Sequence, residues 1–413
     1  MARRLVTVTA SVVIVVSVLV AAHVVLAFRG SGTDSRRVGA QVAWLDTQLR
    51  DGAARRMQAF FPEGELFTNL LTGIAAAQLA TTGSGDTRAG QLTTARYALT
   101  EVDQPRNRDL FGDIPVPPNG VFYRGWRLLL LVDIAAASGS AGDVAAVDAE
   151  ARTLRQAFDA SPTGLLESYP GQYWPCDNVV GIAALVRADA LLGTPGASGR
   201  PTGRALLGRL DPLRDRATGL LPHRTDAAGR PLDGPRGSSQ SLIQVFLPDI
   251  DDARAHREWT AYKSAFVVRE LGLVGVREYP VGVSGPADAD SGPLLLGVSA
   301  SASAVTLGAA RRNGDTRLAA SLDHEAEMLG VGLQWGGERR YALGVLPVGD
   351  AFLAWARSRP ASSERALDPG PTPLWPVYLL LALLPGAVAA ALLAGRGRAA
   401  THQQGSPTTP TRR

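Results

Sequence analysis

Apolar residues follow two patterns along this chain. Residues 5–28 and 374–394 are uninterrupted runs without a charged side chain, and each has more than 20 residues. A run of this length, folded as a helix, is long enough to cross about 30 Å of hydrocarbon. Both runs therefore predict transmembrane helices, and the cell membrane is the predicted partner of the two ends of the chain.

Between these runs, apolar positions recur at helical spacing in segments separated by short loops rich in Gly, Pro and Asp. The candidate helix 293–312 is small and apolar on every side, which is typical of a buried helix. The candidate 142–160 is amphipathic, and a long candidate covers 238–272. Buried helices that alternate with amphipathic ones predict an all-α fold, an (α/α)6 toroid of helical hairpins, with short β-hairpins at 220–232 and 333–342 on its rim.

The same patterns divide the chain into an N-terminal transmembrane anchor (1–29), a barrel domain (30–366), a C-terminal transmembrane helix (367–395) and a basic, disordered tail (396–413). The first run also has features of a cleaved signal peptide, because Arg3 and Arg4 precede it and small residues end it. Its apolar stretch is long for a signal peptide, which favours the anchor.

Charged residues beside the two runs predict the orientation in the membrane. Arg396 and Arg398 follow the second run, whereas residues 367–370 before it include no basic residue. Both termini are therefore predicted to be cytoplasmic and the barrel domain extracytoplasmic. Three arginines just after the first run oppose this orientation without reversing it.

The distribution of charged residues bears on whether the chain binds nucleic acid. The formal net charge is +4, but six of the 42 basic residues lie in the two ends, where there is no acidic residue. The middle of the chain then has 36 basic and 38 acidic residues. A near-neutral domain without a basic stripe is not typical of nucleic-acid binding. The chain has one cysteine, so it cannot form an intrachain disulfide.

That cysteine, Cys176, lies in the sequence YPGQYWPCDN with the aromatic residues Tyr169, Tyr173 and Trp174. A predicted helix begins at Asp177, so Cys176 lies at its N-terminus. The free N–H groups there lower the pKa of a thiol, while an ionised Asp177 opposes that effect. Cys176 is therefore a candidate catalytic residue. The alternative is a buried cysteine that packs as a small apolar side chain.

A second candidate is the pair Asp288 and Asp290. Alternate residues of an extended segment face the same way, and two neighbouring carboxyls can share a proton, which raises one pKa into the range of a general acid. The alternative is that this segment only caps the helix that follows.

The remaining candidates are aromatic or polar residues near predicted helix ends, where they suit either substrate binding or core packing. They are Tyr123, Trp126, Tyr169, Tyr173, Trp174, Asp177, His223 and Gln240. The sequence has no HExxH or CxxC spacing, no GxSxG and no phosphate-binding loop. Neither a metal nor a cofactor is therefore predicted.

Four blocks of sequence carry a resemblance to a known family. They are YRGWRLLLLVDIAAASGS (123–140), YWPCDNVVGIAALVRADALLG (173–193), GSSQSLIQVFLPDIDDARAHREWTAYKSAF (237–266) and ADADSGPLLLGVSASASAVTLGAARRNGD (287–315). In this order they resemble the linalool dehydratase/isomerase family, over about a quarter of the chain.

The resemblance implies an α/α barrel that removes water from terpenoid alcohols, or adds it, without a cofactor. It also implies a homo-oligomer, because a neighbouring subunit contributes to the family's site. Cys176 matches one of the family's two site cysteines. The other family cysteine falls near Glu167 or Ser168, and the family's histidine falls at Trp126.

Three functions remain open from the sequence. The first is a membrane-anchored hydro-lyase or isomerase of an apolar alcohol, in which Glu167 or the Asp288/Asp290 pair protonates the leaving hydroxyl and Cys176 assists. The second is a carbohydrate-active toroid, such as a glycosidase, with a glycan substrate. The third is a non-catalytic, membrane-tethered binding module. The first function requires Cys176 and the aspartate pair to lie on the same side of the domain.

Overall fold

The computed structural model describes residues 2–28, 35–193, 199–362 and 375–404, which are mostly helical. The helices are α1 (Ala2–Ala27), α2 (Ser35–Arg50), α3 (Ala53–Met57), α4 (Gly64–Thr82), α5 (Gly85–Val102), α6 (Pro105–Arg108), α7 (Gly120–Ser138), α8 (Ala141–Ala160), α9 (Pro175–Leu192), α10 (Gly199–Gly208), α11 (Gly237–Ile250), α12 (Asp252–Phe266), α13 (Ala300–Arg312), α14 (Thr316–Gly330), α15 (Pro347–Ser358) and α16 (Trp375–Gln404).

Six of the described helices form a closed inner ring. In ring order they are α4, α7, α9, α11, α13 and α15, and α15 packs against α4 to close the ring. An outer helix packs on each of them: α5 on α4, α8 on α7, α10 on α9, α12 on α11, α14 on α13 and α2 on α15. The fold is therefore the predicted (α/α)6 toroid.

Aromatic side chains fill the axis of the ring. The ring centroid of Trp126 in α7 lies 5.5 Å from Phe67 in α4, 5.6 Å from Phe246 in α11 and 5.7 Å from Trp355 in α15. Because α7 is not a ring neighbour of α11 or α15, these contacts cross the axis and close it. Trp126 is fully buried in this aromatic plug, where it packs against rings from three other inner helices, and its predicted place in substrate binding stays a prediction.

Loop lengths distinguish the two rims of the toroid. The first five inner helices each connect to their outer partner through a short segment, such as 83–84 or 139–140, whereas the outer partner of α15 is α2, from the other end of the barrel sequence. A longer segment precedes each inner helix, and these segments gather on one rim because all the hairpins run the same way. We call this rim the mouth rim and the opposite one the closed rim. The segments of the mouth rim are 51–63, 103–119, 161–174, 209–236, 267–299 and 331–346.

Two β structures lie on the mouth rim. One is an antiparallel sheet in the order β1-β2-β4-β3, formed by β1 (Val267–Glu270), β2 (Leu273–Arg277), β3 (Leu294–Leu295) and β4 (Val298–Ser299). The other is the hairpin of β5 (Leu333–Trp335) and β6 (Glu338–Arg340), which confirms the prediction at 333–342. The predicted hairpin at 220–232 has one antiparallel bridge within it, between Thr225 and Pro231. Proline has no N–H with which to extend a ladder.

The candidate helix 238–272 is in fact two helices and a strand. Asp251 has an extended backbone, and its side chain accepts a hydrogen bond from the N–H of Arg254, which caps α12. The β-branched residues Val267 and Val268 then begin β1, because such side chains favour a strand over a helix.

The candidate helix 293–312 begins later than expected, at Ala300. Leu296 and Gly297 have positive φ angles and form the turn between β3 and β4. The N-cap of α13 is therefore Ser299, whose side chain accepts from the N–H of Ala302. The Asp288/Asp290 segment does not cap this helix, so the capping alternative is wrong.

Helices α1 and α16 pack against each other. Segments Arg4–Ala27 and Trp375–Gly395 are long and apolar enough to cross a membrane, and only 11% of each is buried. Helix α16 continues to Gln404, so the first part of the predicted tail is helical. The predicted boundaries at 29–30 and 366–367 and the end of the tail lie outside the described residues.

Candidate functional site

Four acidic residues meet at the mouth rim. Glu63 is the N-cap of α4, Asp177 lies in the first turn of α9, and Asp288 and Asp290 lie between β2 and β3. Both Glu63 and Asp290 lie close enough to Asp177 to raise its pKa, and Asp288 does the same to Asp290. We call these four residues the acid cluster.

Asp177 can hold or release a proton near neutral pH. Its residue is 7% exposed, and burial raises the pKa of its carboxyl to about 7. The hydroxyl of Ser168 partly offsets this effect, whereas the negative charges of Asp290 and Glu63 add to it. The sequence predicted Asp177 as a substrate contact. Its burial and its pKa suit proton transfer as well.

Asp290 has a similar pKa but a more open position. Its side chain is 51% accessible, and its Oδ2 lies 3.8 Å from His223 Nε2. Desolvation of the carboxyl raises the pKa of Asp290 to about 7, and Asp288 and Glu63 raise it further while Arg236 opposes them. Asp290 therefore combines a proton at neutral pH with access from solvent.

Asp288 behaves in the opposite way. Partial burial acts to raise its pKa, but the N–H of Ser291 and the guanidinium of Arg236 outweigh it, so the pKa lies below its usual value. Arg236 Nη1 lies 2.5 Å from Asp288 Oδ2. The two aspartates thus differ, with Asp288 ionised and Asp290 able to carry a proton.

Cys176 is a neutral thiol beside this pair. It is 5% exposed, and its sulfur donates a hydrogen bond to Asp177 Oδ1 at 3.8 Å. Burial raises the pKa of Cys176 well above its usual value, and Asp177 and Asp290 raise it further. The expectation that the helix N-terminus lowers this pKa is therefore wrong, because desolvation and two nearby acids outweigh the helix. A neutral thiol can carry a proton but is a poor nucleophile.

The helix start was also misplaced by the sequence. Helix α9 begins at Pro175, with Trp174 as its N-cap, so Cys176 lies within the first turn and not before it. The Asn178 side chain then bonds both the N–H and the carbonyl of Leu166. This link fixes the preceding loop against the helix that carries Cys176 and Asp177.

His223 links the thiol to Asp290. Its Nδ1 hydrogen-bonds the hydroxyl of Ser239, and its Nε2 lies 3.8 Å from Asp290 Oδ2. The same hydroxyl lies close enough to the sulfur of Cys176 to lower the pKa of the thiol in part. Burial, followed by the positive charge of Arg236, lowers the pKa of His223 to about 4. His223 is therefore a neutral imidazole that can donate and accept hydrogen bonds.

Aromatic residues line the same side of the mouth. Tyr169 donates a hydrogen bond to Glu63, and its ring centroid lies 5.2 Å from Phe111 and 5.3 Å from Trp174. Burial raises the pKa values of both Tyr169 and Glu63. Tyr169 and the half-buried Trp174 thus place aromatic surface next to the acids, as a substrate-binding role requires.

Other predicted residues are engaged in separate contacts. Tyr173 donates to Glu167 Oε1 at 2.9 Å, and Glu167 makes no described contact with the acid cluster. Tyr123 donates to Asp103 Oδ1 at 2.9 Å on the outer side of α7. Gln240 is buried, and its Nε2 donates to the carbonyl of Leu221 at 2.7 Å. The structure does not bring Glu167, Tyr123 or Gln240 into the cluster.

Three residues of the site were missed by the sequence: Glu63, Arg236 and Ser239. Glu63 and Arg236 are the N-caps of inner helices α4 and α11, and Ser239 lies in the first turn of α11. Their shared signal is position, since polar residues at the start of each buried helix meet on one rim. The sequence pattern alone did not say which helix starts are neighbours.

Three side chains could ligate a metal ion. His223, Asp288 and Asp290 each offer a ligand atom, and these atoms lie within 4.8 Å of one another. One oxygen of Asp288 is held by Arg236, however. The guanidinium already supplies the positive charge at this point, and a cation would compete with it.

A groove of about 700 Å³ adjoins the cluster on the far side of Arg236. Its walls include Asp215, Tyr279, Val281 and Ser264 of the outer helix α12. None of the four residues of the acid cluster lines this groove, which reaches the site only through Arg236, the partner of Asp288. The proton-bearing carboxyls are therefore not in this groove but at the mouth of the ring.

The chain was compared with known proteins. No family model and no curated protein matches the sequence. Among solved structures, a crystal structure of D-mannose isomerase is similar to this chain, with 12% identity and a TM-score of 0.46, over 70% of this chain and 85% of that one. The toroid described above rests on the helix contacts of this chain itself.

Proposed function

We propose that this protein is a cofactor-independent hydro-lyase or isomerase that acts on an apolar alcohol, in keeping with its resemblance to the linalool dehydratase/isomerase family. The observation that carries the proposal is that Asp177 and Asp290 each have a pKa of about 7 at one mouth. Near neutral pH, such a pair supplies one protonated and one ionised carboxyl. Removal of water needs both an acid and a base.

The reaction balances with these two groups. Asp290, which is the more accessible carboxyl, donates its proton to the substrate hydroxyl, and the C–O bond breaks with its electron pair to release water. Asp177 takes a proton from the neighbouring carbon, and the electrons of that C–H bond form the alkene. Reversal at another carbon gives an isomeric alcohol. The aromatic rings of Tyr169 and Trp174 stabilise positive charge that develops on carbon.

The proton then returns from Asp177 to Asp290. Cys176 hydrogen-bonds Asp177, Ser239 hydrogen-bonds His223 and lies near Cys176, and His223 Nε2 lies 3.8 Å from Asp290. The thiol of Cys176, the hydroxyl of Ser239 and the imidazole of His223 are neutral, and each can both donate and accept a hydrogen bond. We assign Cys176 the role of a proton carrier in this relay.

A sugar substrate is the second candidate. Acids beside the partly buried rings of Tyr169 and Trp174 also suit a glycan, which stacks on aromatic rings while one carboxyl protonates its glycosidic oxygen. In both cases we place the barrel outside the cytoplasm and both termini inside it, because Arg396 and Arg398 follow the second apolar run.

The test is oxygen exchange in ¹⁸O-labelled water. The full chain in detergent is incubated with a panel of acyclic terpenoid and prenyl alcohols, and mass spectrometry follows the label in the recovered alcohol and any alkene. Reversible dehydration exchanges the hydroxyl oxygen even when no net product accumulates. A parallel panel of glycans, scored for bond cleavage, tests the second candidate.

Two substitutions complete this test. Asp290→Asn removes the acid and is expected to abolish exchange, whereas Asp113→Asn, at an exposed acid of the same rim, is expected to leave it unchanged. Exchange that survives Asp290→Asn, or glycan cleavage without exchange, contradicts the hydro-lyase assignment. Neither reaction with any member of either panel argues for the non-catalytic binding module.

A further inference from the structure

The exposed apolar residues of the barrel domain lie on one rim. Among the described residues outside α1 and α16, all large hydrophobic side chains that are exposed belong to mouth-rim segments or to the last turn of α14, which ends at that rim. They are Phe60, Val116, Leu232, Leu271, Val281, Val283, Leu295, Leu296, Leu329, Val331, Leu333, Trp335, Leu343, Val345 and Leu346. Exposed apolar side chains that gather on one rim of a domain, and not over its whole surface, are typical of an interaction face.

The most prominent members are at the tips of turns. Leu295 and Leu296 lie at the β3–β4 turn and are 76% and 57% exposed, and Trp335 lies at the β5–β6 turn and is 88% exposed. Leu271, between β1 and β2, is also exposed. Leucine at loop tips together with tryptophan is typical of segments that insert into a membrane interface.

The two membrane-spanning helices leave the domain at this same rim. His23 Nε2 lies 2.9 Å from the carbonyl of Met328, in the last turn of α14. The hydroxyl of Tyr378 in α16 donates to the carbonyl of Leu271 at 2.5 Å. Both contacts are at mouth-rim positions of the domain, so the anchors and the exposed apolar loops share one face.

The direction of α1 shows where the membrane lies. His23 contacts Met328, whereas the ring of Phe28, five residues later, packs with its centroid 5.4 Å from that of His324, one turn earlier in α14. Helix α14 runs towards the mouth rim, so α1 approaches the closed rim as it ends. The apolar residues before His23 therefore extend beyond the mouth rim, away from the domain.

We propose that the mouth rim rests on the surface of the bilayer that α1 and α16 span, with its exposed apolar loops in the interfacial layer. The mouth with Asp177 and Asp290 then opens towards lipid. The mouth rim lies at the point where α1 and α16 enter the membrane, so a surface at this height along the two helices meets lipid. This position favours a bilayer, and not a second copy of the chain, as the partner that covers the rim. This orientation implies that the substrate is an alcohol dissolved in the membrane, which reaches the acids without crossing water. The inference on the substrate rests on the proposed function.

The experiment uses spin labels on the full chain, reconstituted in nanodiscs that hold one chain each. Cysteines are introduced by Leu295→Cys and Trp335→Cys at the mouth rim and by Ser84→Cys at the closed rim, where Ser84 is exposed. Cys176→Ala removes the native thiol, and circular dichroism checks that each variant is folded. Collision of each label with oxygen, which dissolves in lipid, is compared with collision with a water-soluble nickel chelate.

The expected result is a ratio of oxygen to nickel collisions that is severalfold higher at Leu295→Cys and Trp335→Cys than at Ser84→Cys. Equal access of nickel to all three labels overturns the proposal. Protection of the two mouth-rim labels from both reagents also overturns it, because that result indicates contact with protein. The measurement needs no turnover, so its failure is distinct from a failure of the hydro-lyase assignment.

Discussion

Substitution of Asp177 by asparagine isolates the energetic effect of burying this acid. Its pKa is raised from 3.8 to about 7 by burial and by its acidic neighbours. This difference of about three pKa units corresponds to about 4 kcal/mol, at about 1.4 kcal/mol for each unit. That figure is the upper limit of the free energy by which an ionised Asp177 destabilises the folded state.

The sign follows from proton linkage. Below about pH 4, the carboxyl is protonated in both the folded and the unfolded state. Between about pH 4 and pH 7, the unfolded state loses its proton first, so the stability contributed by Asp177 is lost as the pH rises towards 7. An asparagine side chain does not titrate, so Asp177→Asn is expected to gain stability relative to the wild type as the pH rises, by up to about 4 kcal/mol between pH 4 and pH 8.

Thermal unfolding of the full chain in detergent measures this difference, with the fluorescence of its seven tryptophans as the signal. The Tm of Asp177→Asn minus that of the wild type is expected to increase by several degrees from pH 4.5 to pH 8. The matched substitution Asp113→Asn, at an exposed acid, is expected to give a flat difference. A difference for Asp177→Asn that is equally flat refutes the reasoning, because it means that the carboxyl is not buried as a proton-bearing group.

Three further predictions follow from the same contacts. The Cys176 thiol is expected to resist alkylation by iodoacetamide in the folded protein at pH 8 and to react after unfolding, as measured by intact mass; fast labelling of folded protein contradicts a raised pKa. His223→Gln, which keeps neutral hydrogen bonds, is expected to retain the pH profile of oxygen exchange between pH 5 and pH 8, because the pKa of His223 is about 4; a displaced profile assigns the titration to His223 instead. Trp126→Ala opens the aromatic plug and is expected to cost about 3–5 kcal/mol of stability, measured by unfolding in detergent; an unchanged Tm indicates an axis that is not packed.

The toroid could be predicted because its cause is local. Helices that are apolar on all sides must be buried, and those with one apolar face must cover them, so alternation along the chain indicates two concentric layers. The exact ends of the helices depend on single residues, which give a weaker signal in the sequence than the alternation of helices does. Asp251 divides the segment 238–272, and the left-handed turn at Leu296 delays α13 to Ala300. The pattern of apolar residues continues through Asp251 and Leu296, so it does not reveal either helix boundary.

The candidate site was predictable where the reason lies within a few residues. The alternation of Asp288 and Asp290 already suggests two unlike carboxyls, and the structure gives them pKa values on opposite sides of the usual one. The pKa of Cys176 was not predictable in this way. Its helix N-terminus is visible in the sequence, but Asp290, which helps to reverse the effect, comes from a distant segment.

Aromatic residues show the same limit. Trp126 and Tyr169 both lie near the start of an inner helix, and the sequence assigned both to substrate binding. Trp126 faces the axis and packs on Phe246 and Trp355 from across the ring, whereas Tyr169 faces the mouth and bonds Glu63. The two residues differ only in where the closed ring of helices places them. The sequence near each residue does not show this placement, because the ring closes through contacts along the whole chain.

The pH dependence of ¹⁸O exchange into a prenyl alcohol by the full chain tests the central claim most directly. Since the reaction needs one protonated and one ionised carboxyl, and both Asp177 and Asp290 have a pKa of about 7, the rate is expected to follow a bell centred near pH 7. Asp290→Asn is expected to remove this bell, and Asp113→Asn to preserve it. An exchange rate that does not change between pH 5 and pH 9, or a bell that survives Asp290→Asn, contradicts the account.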